Sequence, residues 1–122
     1  MTKGVERLVD GEFRSHSLDL LTRIMASSRD PRELENLLRE VWTPGELRDA
    51  AQRVEVAAQL LEGSTYEMIA QLTGASTATI SRVRRGLERG EGTVEQALLR
   101  VGRGESGRNA RPRWTAGSSV LG

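Results

Sequence analysis

The sequence contains no cysteine and only one histidine, His16. Disulfide bonds and thiolate metal sites are therefore excluded, and one imidazole is too few for a histidine-based zinc site. No motif pairs a nucleophile with a base, or a cluster of carboxylates with a metal, as enzymatic mechanisms require. We therefore expect no metal, no cofactor and no enzymatic activity.

Aromatic residues are also scarce, at 3% of a 122-residue chain in which 37% of residues are hydrophobic. A core must then be built from leucine, isoleucine, valine and alanine, a composition that favours helices over sheets. The chain has the length of one domain. It has no apolar run of roughly 18 residues that would cross a bilayer, and its N-terminus lacks the apolar run of a signal peptide. We expect a cytoplasmic protein without a membrane partner.

Positive charge is unevenly distributed, although the net charge is only +1. Residues 1–63 carry 9 basic and 12 acidic side chains, residues 64–101 carry 5 and 4, and residues 102–122 carry 4 and 1. Net charge alone argues neither for nor against a nucleic-acid partner, so the distribution is the informative quantity. Basic residues collect toward the C-terminal half.

Apolar spacing predicts six helices and no strand. The chain also carries side chains that cap helix N-termini at the expected places. The predicted caps are Asp30 before Pro31, Thr43 with Glu46, Ser64 with Glu67, Ser76, and Thr93. We predict one helical domain over residues 15–101. It is preceded by a flexible arm, residues 1–14, and followed by a disordered basic tail, residues 102–122, which is rich in Gly, Ser and Arg.

The segment YEMIAQLTGASTATISRVRR, residues 66–85, has the pattern of a helix-turn-helix. Such a unit needs a small residue where the helices cross, here Ala70, and a residue that tolerates positive φ at the turn, here Gly74. It also needs branched apolar residues on the inner face of the second helix, and Ile80 and Val83 meet that requirement. The spacing therefore predicts a DNA-reading unit.

The outer face of the second helix is small, polar or basic, which suits the major groove. Helix N-terminal amides bind phosphate, short hydroxyls approach base edges, and arginine pairs with guanine. The predicted DNA-binding residues are Ser76, Thr77, Ala78, Ser81, Arg82, Arg84 and Arg85. The alternative is a plain helical hairpin whose arginines form an ordinary solvated face.

From Thr43 through Arg85 the chain resembles the Trp repressor superfamily. The runs AQRVEVAAQLL and GASTATISRVRR look most like its YerC-type branch, and the resemblance covers roughly residues 15–101. It implies an all-α, six-helix Trp-repressor-like fold with a helix-turn-helix, assembled as an intertwined homodimer. It also implies that Thr77, Ala78, Ser81 and Arg82 face the groove.

The same resemblance suggests a small-ligand pocket. Four residues match those that line the co-repressor pocket of the tryptophan-sensing members: Thr43, Arg53, Thr79 and Arg82. Two other positions depart, because Val83 stands where those members carry a glycine that makes room for indole, and Gly86 where they carry serine. The segment between Gly63 and Gly74 is also one residue shorter. We therefore expect that tryptophan is not a required co-repressor.

The sequence thus favours a sequence-specific, double-stranded DNA-binding transcriptional regulator. We expect a repressor that binds a pseudo-palindromic site as a homodimer. Two alternatives stay open at this point: a helical protein-interaction module that retains the fold, and a tryptophan-dependent repressor.

Overall fold

The computed structural model describes residues 10–103, so most of the predicted arm and tail lie outside the described residues. Within 10–103 the chain forms six α-helices and no strand. They are α1 (Asp10–Ala26), α2 (Pro31–Val41), α3 (Pro44–Leu61), α4 (Tyr66–Thr73), α5 (Thr77–Arg89) and α6 (Thr93–Arg100). The chain divides into two compact units, Met1–Leu47 and Arg48–Gly122, which are described in turn.

In the first unit, α1 begins at Asp10, five residues before the predicted domain boundary at residue 15. That boundary was wrong for residues 10–14, because apolar spacing marks only the face of a helix that packs and a helix can continue beyond it into solvent. Large apolar side chains of α1 remain exposed, with Leu18 at 61% and Leu20 at 55% of their accessible surface.

The start of α2 confirms the predicted cap. The Asp30 carboxylate accepts a 2.8 Å hydrogen bond from the Glu33 amide, and the Glu33 carboxylate accepts one from the Arg29 amide. Pro31 lies in the first turn, where a missing N–H costs nothing. No residue of α2 is buried, and Val41 is 53% exposed. Local hydrogen bonds therefore define where α2 begins, whereas the apolar face of this helix remains largely accessible to solvent.

The predicted capping box at the start of α3 is also confirmed. Thr43 Oγ1 accepts a 3.1 Å hydrogen bond from the Glu46 amide, and Glu46 Oε1 accepts a 2.9 Å bond from the Thr43 amide. Two of the amides that a helix N-terminus leaves without partners are satisfied in this way.

The core of the second unit forms on both sides of α3. One cluster joins Val56 and Leu60 of α3 to α4, α5 and the turn between them, and consists of Val56, Leu60, Ile69, Ala75 and Ile80. The other joins α3 to α6 and consists of Ala57, Ala58, Leu61 and Leu98. Val83 and Leu87 of α5 pack against both clusters. Fully burying one such aliphatic side chain stabilises a fold by about 1.5–3 kcal/mol, so these contacts fix α5 on α3.

Two predicted caps are wrong by one residue. The N-cap of α4 is Thr65, whose hydroxyl accepts a 3.1 Å hydrogen bond from the Met68 amide, whereas the Ser64 hydroxyl donates to Gln59 of α3. The N-cap of α6 is Gly92, with a φ of 82°, so that Thr93 is the first helical residue. At α4 two adjacent residues with similar capping chemistry compete, and the contact of Ser64 with Gln59 leaves the cap to Thr65.

The end of α6 corrects the predicted start of the tail. The Gly102 amide donates to the Leu99 carbonyl at 3.0 Å and the Arg103 amide to the Leu98 carbonyl at 2.8 Å, with Gly102 at a φ of 84°. This pair of bonds is a Schellman motif, which needs a residue that tolerates positive φ. Gly102 and Arg103 therefore belong to the folded domain and not to a disordered segment.

None of the helices between residues 10 and 103 is long and apolar enough to cross a membrane.

Candidate nucleic-acid interface

The turn between α4 and α5 has the predicted geometry. Gly74 ends α4 with a φ of 76°, and its amide donates to the Ala70 carbonyl at 2.9 Å. Thr73 Oγ1 donates to the Ile69 carbonyl and accepts a 3.1 Å hydrogen bond from the Ala75 amide. The backbone of the turn is therefore held by three local hydrogen bonds, and Ala75 inserts into the core.

The first turn of α5 is capped by Ser76, as predicted. Ser76 Oγ accepts a 3.1 Å hydrogen bond from the Thr79 amide and donates to the Thr79 hydroxyl at the same distance. Thr77 and Ala78 precede that bond and are exposed. Their backbone amides lie at the positive end of the helix dipole, which suits an anionic partner.

The inner face of α5 is buried as predicted. Ile80 is fully buried, and Val83 is half-buried against α3 and α6 residues. A helix seated on one face by such contacts must present its opposite face outward, because residues three and four apart share a face. The opposite face of α5 is therefore the candidate interface.

The outer face of α5 exposes most of the predicted residues. Ser76, Thr77, Ala78, Arg82 and Arg85 are exposed, and Ser81 is half-buried among them. Within residues 10–103, no hydrogen bond or ion pair holds the guanidinium of Arg82 or Arg85. Two cations that no internal carboxylate neutralises are available to an external anion.

Arg84 differs from its two neighbours. Its guanidinium donates to Tyr66 Oη at 3.5 Å and to Glu88 Oε2 at 3.2 Å, and its side chain is 40% exposed. The hydrogen bond to Tyr66 raises the pKa of Arg84, with Glu88 adding to the effect. Since Arg84 is engaged with α4 and with its own helix, its charge is directed along the flank of α5.

A groove of about 580 Å³ runs along α3, α5 and the start of α6. Its lining is mostly apolar, with Val54, Ala57 and Val83 among the lining residues, and it includes Arg53. Of the four residues predicted for a small-ligand pocket, Arg53 lines this groove. Thr79 and Arg82 do not line it, and Thr43 belongs to the first unit.

The sequence reasoning missed two positioning contacts. Gln52 Nε2 of α3 donates a 3.1 Å hydrogen bond to the Thr73 carbonyl at the turn, and no local sequence pattern predicts this contact. Arg103 pairs with Glu55 at 2.6 Å and with Glu62 at 3.1 Å. Carboxylates seven residues apart share a helix face, and Gly102 is a helix-ending residue, so these two signals together could have found the Arg103 contact.

Comparisons with known proteins agree with this architecture. The family model described as Trp repressor protein matches residues 16–101. The chain belongs to the Trp repressor family. Membership of this family confirms the resemblance noted in the sequence, and repressors are regulatory proteins rather than enzymes.

Relatives within the Trp repressor family place the chain near YerC. It is 44% identical over 90 residues to the protein YerC of Bacillus subtilis (strain 168), described as uncharacterized, covering 74% of this chain and 86% of YerC. A TrpR-like protein from Eubacterium eligens matches with a TM-score of 0.69 and 37% identity, over 75% of this chain and 95% of that one. A putative Trp repressor from Staphylococcus aureus matches with a TM-score of 0.68 and 34% identity, over 75% and 91%. The six helices of residues 10–103 thus form an all-α, Trp-repressor-like fold.

Proposed function

We propose that this protein is a cytoplasmic transcriptional regulator that binds double-stranded DNA through α4 and α5. The observation that carries the proposal is the outer face of α5, where Arg82 and Arg85 are exposed and are held by no carboxylate within residues 10–103. The inner face of the same helix is anchored by Ile80 in the core. A rigid helix that presents short polar side chains and free arginines has the dimensions and chemistry of a major-groove reader.

Membership of the Trp repressor family supports the same proposal, because the family description is that of a repressor. We propose that the residues that contact DNA are Ser76, Thr77, Ala78, Ser81, Arg82 and Arg85. Arg84 would contribute mainly a sequence-independent charge, because Tyr66 and Glu88 hold its guanidinium. We propose repression as the outcome of operator binding, in line with the description of the family as Trp repressor protein.

We also propose that the working form is a homodimer on a pseudo-palindromic site. The support is the apolar surface that one chain leaves uncovered: no residue of α2 is buried, and Val41, Leu18 and Leu20 are each more than half exposed. Water-exposed apolar side chains in this number are typical of subunit interfaces. A two-fold dimer would present two copies of α5 to two half-sites.

The test is a salt titration of binding to duplex DNA. Arginines that neutralise phosphates release condensed cations from the DNA. The logarithm of the association constant therefore falls linearly with the logarithm of the salt concentration, with a slope of about −0.9 for each phosphate neutralised. We expect steep salt dependence for the wild type, and weaker binding with a shallower slope for Arg82→Gln/Arg85→Gln. Arg100→Gln, an exposed arginine of α6, is the matched control and should bind like the wild type.

Two results would contradict the DNA-binding proposal. One is a wild type with no measurable affinity for duplex DNA at low salt. The other is binding that Arg100→Gln and Arg82→Gln/Arg85→Gln affect equally, since that would assign no special role to α5. The first result would favour the protein-interaction module as the alternative function, and the second would assign DNA binding to a surface other than the outer face of α5.

A further inference from the structure

A glutamine of α3 contacts the turn between α4 and α5. Gln52 Nε2 donates a 3.1 Å hydrogen bond to the carbonyl of Thr73, the last residue of α4. The same nitrogen lies 4.0 Å from the position that a Cβ added at Gly74 would take. The side-chain amide of Gln52 therefore lies against the backbone at the point where α4 ends and the chain turns toward α5.

The Thr73 carbonyl needs a donor from outside α4. The last four carbonyls of a helix have no partner of the helical kind, and buried ones are satisfied by caps, side chains or water. The Gly74 amide donates to Ala70, and the Ala75 amide donates to the Thr73 hydroxyl rather than to its carbonyl. Gln52 supplies the donor and thereby joins the end of α4 to α3.

Gln52 extends the face by which α3 holds the helix-turn-helix. Gln52, Val56 and Leu60 follow one another at intervals of four residues, so they share a face of α3. Val56 and Leu60 belong to the core cluster that contains Ile80 of α5. Apolar contacts are non-directional, whereas a hydrogen bond weakens steeply when its angle departs from the preferred range. The apolar pair therefore sets the depth of the reader in the core, and Gln52 sets the orientation of the turn.

The first turn of α5 depends most on that orientation. The apolar anchors Ile80, Val83 and Leu87 lie in the middle and the C-terminal half of the helix. Thr77 and Ala78 precede these anchors, are exposed, and follow closely on the turn. Hydrogen bonds to base edges need donor–acceptor distances of about 2.7–3.2 Å, so a displacement of about 1 Å removes a base contact. Phosphate contacts depend chiefly on charge and tolerate such a displacement.

We propose that Gln52 is a positioning residue that determines specificity, acting on DNA recognition through the Thr73 carbonyl. This inference rests on the proposed DNA-binding function. Loss of the hydrogen bond should lower affinity for the operator, where side chains must meet particular bases. Affinity for a random duplex, to which phosphate contacts contribute most, should stay unchanged.

The experiment measures the Kd of the full-length protein, at one salt concentration, for an operator recovered by genomic footprinting and for a random duplex of equal length. Gln52→Met keeps the length of the side chain and removes the donor. We expect the operator preference, which is the ratio of the two Kd values, to fall about tenfold, comparable to the effect of one mismatched base pair. Gln52→Lys restores a donor and should recover most of the preference.

Gln59→Met is the matched control. Gln59 is a second half-buried glutamine of α3, but its side-chain amide donates to Glu55 and accepts from Ser64 instead of contacting the turn. Loss of stability lowers the folded fraction equally for both duplexes and leaves their ratio unchanged. Gln59→Met should therefore keep the wild-type operator preference, even where thermal unfolding shows that both methionine variants are less stable than the wild type.

Amide hydrogen exchange without DNA tests the contact itself. In Gln52→Met the amides of Gly74 and Ala75 should exchange severalfold faster than in the wild type, while the Leu60 amide within α3 should not change. Unchanged exchange at the turn would show that Gln52 does not hold it, and the positioning role would be overturned.

The binding outcomes separate the positioning role from the proposed function. Wild-type operator preference in Gln52→Met overturns the positioning role and leaves the proposed function intact. An equal loss on both duplexes has the same meaning, because it reports stability alone. Failure of Gln52→Lys to recover the preference overturns the role of the donor. A wild type that binds neither duplex contradicts the proposed function, and the positioning role with it.

Discussion

The side-chain amide of Gln52 donates a 3.1 Å hydrogen bond to the backbone carbonyl of Thr73. This contact joins the middle of α3 to the last residue of α4, immediately before the turn that sets the direction of α5. Gly74 follows at a φ of 76°, and an added Cβ there would meet only Gln52 Nε2, at 4.0 Å. The turn is therefore governed by backbone conformation and one tertiary hydrogen bond, not by crowding.

Gly74→Ala should lower the free energy of unfolding by about 1–2 kcal/mol, the cost of placing a side chain in the left-handed region. Gly86→Ala is the matched control, because Gly86 lies inside α5 with open space around its Cα. That substitution should be neutral or stabilise the fold by up to about 1 kcal/mol. Denaturant unfolding of both variants measures the difference. Equal effects would show that the conformation at residue 74 does not limit stability.

Arg82→Ala should weaken specific duplex binding by roughly 1–3 kcal/mol, because it removes an exposed arginine that can pair with a base. The helical content measured by circular dichroism should not change. Arg84→Ala should weaken binding less and to the same degree on all sequences, since Tyr66 and Glu88 hold that guanidinium. Gel shifts on specific and random duplexes compare the two variants. Unchanged binding by Arg82→Ala would refute the groove-facing assignment.

The protein should be a dimer in solution at micromolar concentration. Burial of Val41, Leu18 and Leu20 in an interface would remove exposed apolar surface from water, and this favours association. Val41→Asp should therefore shift the equilibrium toward monomer, whereas Glu40→Gln, an exposed neighbour, should not. Light scattering reports the mass of each. A folded wild-type monomer would contradict both the dimer and the paired half-sites.

Free tryptophan should not be required for DNA binding. Val83 packs against both core clusters and lines the same groove as Arg53, where its branched side chain leaves less room for an indole ring than a glycine would. Calorimetry should show no heat of binding with millimolar tryptophan, and gel shifts should be the same with and without it. Heat of binding, together with an affinity for DNA that depends on tryptophan, would instead support the alternative function of a tryptophan-dependent repressor.

The contact between Arg103 and Glu55 should make stability depend on pH. Hydrogen bonds from Arg103 and then from Gln59 lower the pKa of Glu55 in the folded state. The unfolded chain therefore binds this proton at a higher pH than the folded chain does. The resulting stabilisation is present above the ordinary pKa of a glutamate and is lost as the pH falls through the lowered pKa.

Both side chains are about two-fifths exposed, which limits the contribution of the pair to about 1 kcal/mol or less. Glu55→Gln should thus be less stable than the wild type at neutral pH and equally stable in acid. Urea unfolding across this range measures the difference, with Glu91→Gln as an exposed control. A difference that persists unchanged into acid would exclude the ion pair as its source.

Local chemistry in the sequence determined the six helices, the caps at Asp30, Thr43 and Ser76, and the left-handed turn at Gly74. Each of these depends on residues within a few positions of one another, so periodicity and hydrogen-bonding capacity predict them. The inner face of α5, with Ile80 and Val83, was predictable for the same reason.

Tertiary structure decided what depends on residues far apart in the chain. Ser64 has the chemistry of a cap, but Gln59 engages its hydroxyl and Thr65 caps α4 instead. Arg84 has the charge expected of a DNA contact, but its hydrogen bond to Tyr66, eighteen residues earlier, holds the guanidinium along the flank of α5. The sequence pattern assigned Arg103 to the tail, whereas in the structure its guanidinium donates to Glu55, forty-eight residues earlier, and Arg103 belongs to the folded domain. A side chain with several possible partners binds the one that the fold brings within hydrogen-bonding distance. The order of residues along the chain does not contain these distances in space.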